Sequence, residues 1–309
     1  MESSRTVTIP DFSSIKISTA TIIAVSNLTF DLNLLYNYLP ITEYIVVPRK
    51  RGRKKKVEVV DPNKYIPVGS IISVQNKTNV RGVIIKKKKE TSKTYFLNSI
   101  TIILVLEAGK IINVKISKNG KFQITGCKNN SHFLKCIEYI YRHIKASEEQ
   151  IGEKMCRFKN DEDTHPRIIF NIVMKNIDFK AGFSIQRDKL DTFISVNTDF
   201  TSHYEGSITT GVNIKIRSRR PYDSRLNCLE ILEDTVRTSL VDYNEYLSFL
   251  DEKEKKKEAK KEKYHTFLVF CSGSIIQSGS GPDMEHVYKD FMSILLKNRK
   301  HFEERLIEE

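Results

Sequence analysis

The five cysteines, Cys127, Cys136, Cys156, Cys228 and Cys271, include no C-x-x-C pair, and an odd set cannot close into a complete disulfide framework. That argues against a structural zinc and fits a reducing compartment. The seven histidines contain no H-x-x-x-H pair that could hold a metal. No apolar run is long enough to span a bilayer. Met1-Glu2-Ser3-Ser4-Arg5 leads into no signal-peptide core, so neither membrane insertion nor secretion is expected. Gly273, Gly279 and Gly281 superficially resemble a phosphate-binding loop, but no Walker lysine and no suitably placed ribose-binding acid accompanies them, so they read as turn glycines. Asp161, Glu162 and Asp163 fall in a linker-like stretch where solvation is the default. With no catalytic constellation in view, neither enzymatic activity nor a cofactor is expected.

What the chain does carry is positive charge. Over 309 residues, 51 Lys and Arg against 38 Asp and Glu give a net charge of +13, which calls for an anionic partner. Nucleic acid is the first candidate and an acidic membrane surface the second. The hydrophobic share of 39% is ordinary for a globular protein, and the length suits about two domains.

The chain also says one thing twice. Gly120-Lys121-Phe122-Gln123-Ile124-Thr125-Gly126 returns as Gly273-Ser274-Ile275-Ile276-Gln277-Ser278-Gly279, each after a β-like run and before an amphipathic helical pattern. Two copies at long period argue for two similar half-domains about a pseudo-two-fold axis. The spacing predicts final helices with stripes Phe133, Ile137, Ile140, Tyr141, Ile144 and Met284, Val287, Phe291, Ile294, Leu295. Ser280 and Asp283 have capping-box spacing. Residues 1–157 form the first repeat, 158–166 a linker and 167–309 the second repeat. A basic insertion with extra strands covers about 48–94 and includes the run Arg49 to Lys56. A second insertion covers about 217–263, where Leu229, Leu232, Val236, Leu240, Tyr243, Leu247 and Leu250 form a coiled-coil-like seam, so a charged helix is expected.

With these pieces in order, the chain resembles the TATA-box-binding protein family. Asn171-Ile172-Val173 looks like the family's Asn-Ile-Val opening, and Ser202-His203-Tyr204-Glu205 with Gly211-Val212 is similar to Ser-Tyr-Glu…Pro-Gly-Leu. Phe267-Leu268-Val269-Phe270-Cys271-Ser272-Gly273 resembles Leu-Leu-Ile-Phe-x-Ser-Gly, and Ile124-Thr125-Gly126-Cys127-Lys128 resembles Val-Thr-Gly-Ala-Lys. The resemblance covers half to two-thirds of the chain. It implies an α+β fold: a duplicated, pseudo-two-fold saddle of curved antiparallel sheet with helices on the convex face, plus the insertions. It further implies minor-groove recognition of AT-rich double-stranded DNA, wedging of aromatic side chains between base steps, and partners in a TFIIB-like factor and RNA polymerase subunits.

Carried over residue by residue, Asn171 fits the groove-reading amide, with Thr19 or Ser18 as its first-half counterpart. Thr125 and Ser278 keep paired hydroxyls, and Val173 keeps an apolar contact. Lys121 and Lys128 fit phosphate-contacting positions, and Lys215 stands for an arginine. Of the family's wedge phenylalanines, Phe270 is in register and Ile208 stands next to a second position. The first-half wedge positions fall near Ile100 and Ser117, with Phe96 a gapped substitute. Each assignment has a structural alternative: Phe270 a buried sheet residue, Asn171 an edge amide, Thr125 and Ser278 strand-end hydroxyls, and the basic run a solvated loop. The divergence, the insertions and the wealth of Ile, Lys and Asn look like a large DNA virus, placing the protein inside the cell, in the nucleus, a viral factory or the virion. A scaffold that has lost DNA bending, a nonspecific basic nucleic-acid binder and an accessory domain of a nucleic-acid enzyme stay open as alternatives.

Overall fold

A computed structural model describes residues 10–46, 62–85, 97–107, 109–207, 210–218, 225–233, 235–260, 262–281 and 283–304. The run Arg49 to Lys56, the cluster Lys86 to Lys89, Phe96 and Ile208 lie outside the described residues. The elements begin with β1 (Ile17–Ser26), β2 (Leu28–Phe30), α1 (Leu32–Tyr38), β3 (Ile71–Asn76) and β4 (Asn79–Gly82). There follow β5 (Ser99–Glu107), β6 (Lys110–Ser117), β7 (Lys121–Cys127), α2 (Asn130–Ile151), β8 (Cys156–Phe158) and β9 (Arg167–Lys180). The second half continues with α3 (Arg187–Asn197), β10 (Thr201–His203), β11 (Val212–Arg217), β12 (Arg225–Ile231), β13 (Val236–Asp242), α4 (Tyr243–Ser248) and α5 (Glu252–Ala259). It ends with β14 (Tyr264–Val269), β15 (Ser274–Gly279) and α6 (Met284–Lys297). None of the described helices is long and apolar enough to cross a membrane.

These elements form two compact units that are interleaved in sequence. The first, here the N unit, takes the described residues of 21–171 and 225–250; the C unit takes those of 1–20, 172–224 and 251–309. In the N unit β7, β6, β5, β3 and β4 lie side by side in that order, all antiparallel. In the C unit the order is β10, β11, β14, β15, β9, again antiparallel. Each sheet buries one face. Ile102, Leu104, Ile112, Val114, Phe122 and Ile124 alternate inward in the N unit, and Phe133, Ile137, Ile140 and Ile144 of α2 are buried as well. In the C unit Ile177, Phe179, Ile214, Phe267 and Ile275 pack with Met284, Val287, Phe291 and Leu295 of α6. The helix stripes therefore match the sequence period, with Tyr141 and Ile294 only half-buried at their margins.

The duplicated glycine has a physical cause. Gly120 (φ +79°) and Gly273 (φ +73°) sit at the turns opening β7 and β15 in left-handed backbone conformation. A Cβ on Gly120 would lie 2.0 Å from the carbonyl oxygen of Leu28, and one on Gly273 would lie 2.1 Å from that of Phe183. Both copies thus need glycine twice over, for the torsion and for the close approach of a second chain segment.

Two expectations are corrected. Residues 217–263 hold no single helix: the strands β12 and β13 form a hairpin, followed by two short helices, α4 and α5. The Leu seam was a coincidence of spacing. Strand β12 is buried on both faces, with Leu226 and Cys228 on one and Leu229 on the other, so its apolar residues imitate a helical step. Nor does Ser280 cap α6 with Asp283. Asp283 is itself the N-cap, and its carboxylate accepts from Ser218 Oγ at 2.5 Å and lies 3.2 Å from His265 Nε2 instead.

Candidate nucleic-acid interface

On each sheet the face opposite the buried one is lined by cross-strand rows that the pairing register fixes. Residues directly opposite one another in antiparallel strands point to the same side. In the C unit one row runs Thr201, Lys215, Thr266, Ser278, Asn176 and the next runs His203, Asn213, Leu268, Ile276, Asp178. All ten are half-buried or exposed. In the N unit the rows are Gln75, Thr101, Lys115, Gln123 and Ser73, Ile103, Asn113, Thr125; Ser73 is buried and the other seven are half-buried or exposed. Amides, hydroxyls and a few aliphatic residues dominate, with one lysine in each unit.

The chemistry of such a surface is specific. A·T pairs present only acceptors in the minor groove, while a G·C pair adds an amino donor. Side-chain amides and hydroxyls can supply donors to such acceptors, and aliphatic side chains such as Leu268, Ile276 and Ile103 can make apolar contact where a guanine amino group is absent. The amide oxygens of Asn176 and Asn213 are buried without a hydrogen-bond partner among the described residues. An amide oxygen accepts, so these atoms are not the donors that A·T acceptors require; those donors are the amide nitrogens of the same side chains.

The sequence-derived residues fall on this surface unevenly. Ser278 and Lys215 share one row of the C unit; Thr125 lies in a row of the N unit, and Lys121, half-buried, is in phase with Gln123 and Thr125 on β7. Phe270 is one alternate step beyond Leu268, half-buried, at the start of a tight turn in which Gly273 N donates to Phe270 O at 3.0 Å. Lys128 is exposed but stands off the sheet, between β7 and α2, its backbone N–H donating to His132 Nδ1 at 3.2 Å. Thr19 is half-buried on β1 between Ser18, whose hydroxyl donates to Asn176 O at 3.1 Å, and buried Ala20.

Asn171 and Val173 belong to β9, whose alternation reverses along its length. Phe170 is buried, its ring stacked on Phe133 of α2 at 4.1 Å, whereas farther on the odd residues Ile177 and Phe179 fill the core of the C unit. Asn171 is therefore in phase with Ile169, on the side away from α2, and is half-buried. The half-buried Val173 stands beside exposed Met174, between the two phases. The reversal hid Asn176 and Asp178, which an Asn-Ile-Val anchor at 171–173 does not reach. Both alternate with the buried Ile177 and Phe179, so each lies one residue from a core position on the opposite face.

Electrostatics tie the start of α2 to the sheet. His132 is buried: Lys110 Nζ lies 2.8 Å from Nδ1, and Glu107 lies 3.2 Å from Nε2. Nδ1 also accepts from Lys128 N, so the ring is neutral with its proton on Nε2. Burial and the Lys110 charge hold its pKa below the usual histidine value, against the opposing pull of Glu107.

No family model matches the chain. It is 30% identical over 159 residues to an Acanthamoeba polyphaga mimivirus protein described as TATA-box-binding protein-like, a match that takes in 47% of this chain and 42% of that protein. The matched region thus spans less than half the length of that relative. The chain is 24% identical over 297 residues, 92% of its own length and 84% of the other's, to the uncharacterized protein 335L of Invertebrate iridescent virus 6. Among solved structures, Methanococcus jannaschii TBP aligns with 92% of this chain and 98% of its own at 15% identity and a TM-score of 0.41.

Proposed function

We propose that this chain, a divergent TATA-box-binding-protein-like protein, binds AT-rich duplex DNA through the minor groove and acts, without catalysis, in transcription initiation. The observation that carries the reading is the composition of the exposed rows: amide, hydroxyl and aliphatic side chains in register across four or five strands of each unit. A surface built only to hold phosphate would present lysine and arginine at those positions. Asn176, Asn213 and Ser278 of the C unit and Gln123, Thr125 and Asn171 of the N unit read the groove, and Lys215 and Lys121 meet phosphate. Bound duplex would offer a platform for a TFIIB-like factor and polymerase subunits. Phe270, at the turn between β14 and β15, acts as a wedge at one end.

The test is binding of AT-rich and GC-rich duplexes across a salt series, with end-to-end energy transfer to follow bending. Preference for AT duplex that survives added salt, and that weakens in Asn213→Ala and Gln123→Ala, is the expected result. Equal affinity for both duplexes with a steep salt slope would reduce the protein to a nonspecific basic binder.

A further inference from the structure

The second insertion does more than lengthen the sheet. Strand β12 pairs with the first residues of β9, Asn227 opposite Phe170 and Cys228 opposite Ile169, and β13 pairs with β12. Phe170 faces α2, so Ile169 faces the other way. There it joins Val25, Leu226, Cys228, Val241 and Leu250 in a buried cluster, with Tyr243, Tyr246, Leu247 and Phe249 packed against it. Helix α4 and its flanks therefore lie over the face of the N unit opposite α2. Val25 is in phase with half-buried Thr21 and Ile23 on β1, so the free part of that strand runs directly up to the covered part.

The contact is held by charge. Arg167, in phase with Ile169, pairs with Glu245 of α4 and lies 3.4 Å from Glu230 of β12. Glu245 is the one charged side chain of α4, so the cover presents a carboxylate to an arginine on a face otherwise suited to nucleic acid. A helix of six residues has no stability of its own in water; α4 is helical because it is docked.

We propose that the β12–β13 hairpin and α4 form a built-in cover over part of the nucleic-acid face of the N unit, latched by Arg167, and that DNA opens it by exchanging the Glu245 carboxylate for a backbone phosphate at Arg167. A guanidinium donates to a carboxylate or to a phosphate alike, so the exchange leaves no charge unpaired on Arg167. Opening exposes Val25 and Ile169 as further apolar surface and releases α4. The inference rests on the DNA-binding reading above.

Two variants and one exchange measurement test it. Glu245→Gln removes the latch partner at a part-exposed position, and Leu247→Ser weakens the apolar contact; circular dichroism checks that both fold. If the cover is closed in about nine-tenths of free molecules, opening it fully tightens binding of an AT-rich duplex by about tenfold. In the unaltered protein, DNA should speed amide exchange across Tyr243–Leu250. Unchanged affinity in both variants, or slower exchange of that segment on DNA, overturns the cover while leaving DNA binding intact. If neither the unaltered protein nor the variants bind AT duplex, the DNA reading itself fails and the cover with it.

Discussion

Replacing Gly120 by alanine should cost far more than the same change at Gly152, although both glycines have the same backbone sign. Gly152 ends α2 at φ +70°, and a Cβ there meets nothing within 4 Å. Its cost is torsional, about 1–2 kcal/mol for an alanine forced into left-handed conformation. Gly120 carries the same torsional cost at φ +79°. Its Cβ would also stand 2.0 Å from Leu28 O and 2.7 Å from Ser26 Oγ, far inside contact distance. Relief requires β7 to move away from the Ser26–Leu28 segment. That strains the two bonds received by Gly120 O, from Ser26 N and Ser26 Oγ, both at 2.9 Å. At about 1 kcal/mol for each bond, the total for Gly120→Ala is about 3–4 kcal/mol. Urea unfolding of the two variants side by side measures the difference, and because both sites lie in the N unit the same transition reports on each. Equal destabilisation would refute the claim that close approach, rather than torsion, sets the identity of the repeated glycine.

The remaining predictions concern charge. The lowered pKa of His132 means the folded state keeps the ring neutral while the unfolded chain takes up a proton on the way down through about pH 6.5. Stability of the N unit should therefore be full above that pH and fall as pH drops toward the folded value; His132→Gln should flatten the dependence in urea titrations at several pH values, and an unchanged slope would exclude the ring as its source. Asp178 places an exposed carboxylate in a row with Ile276 and Asn213. Asp178→Asn should tighten AT-duplex binding at low salt, by a factor that shrinks as salt screens the repulsion; an unaltered affinity at low salt would remove that residue from the interface.

Much of the architecture was legible because burial on one face leaves a regular trace. The duplicated turn, the stripes of α2 and α6 and the β-rich runs between them all follow from periods of two or 3.6. The insertion at 217–263 was not legible, for a physical reason: β12 is covered on both faces, so the alternation that marks a half-buried strand is lost, and Leu229 beside Cys228 reads as helix. The site residues divide the same way. Thr125, Ser278 and Lys215 sit in strands of uniform phase, where position in a motif predicts facing. Asn171 and Val173 sit in β9, whose phase reverses between two cores, and a motif carries no information about such a reversal. Asp283 shows a further limit. It stands at the cap position, yet its carboxylate faces buried His265 of β14 and accepts from Ser218, just past the end of β11.

The interleaving of the two units has a consequence for how the chain is made. The N unit lacks β12, β13 and α4 until residue 250 has been synthesised, after all of 172–224 has already emerged. The C unit must wait longer still, since Tyr288 OH donates to Pro10 O at 2.8 Å and its ring contacts Phe12, joining the earliest described residues to the last long helix. The N unit therefore cannot be completed while the ribosome is still on the first repeat, and cutting the gene at the boundary between repeats would leave the N unit without 225–250 and the C unit without 1–20. A chain threaded in this way acquires its final contacts late and across long separations, which makes for slow folding and a long interval in which half-built sheet edges stand open.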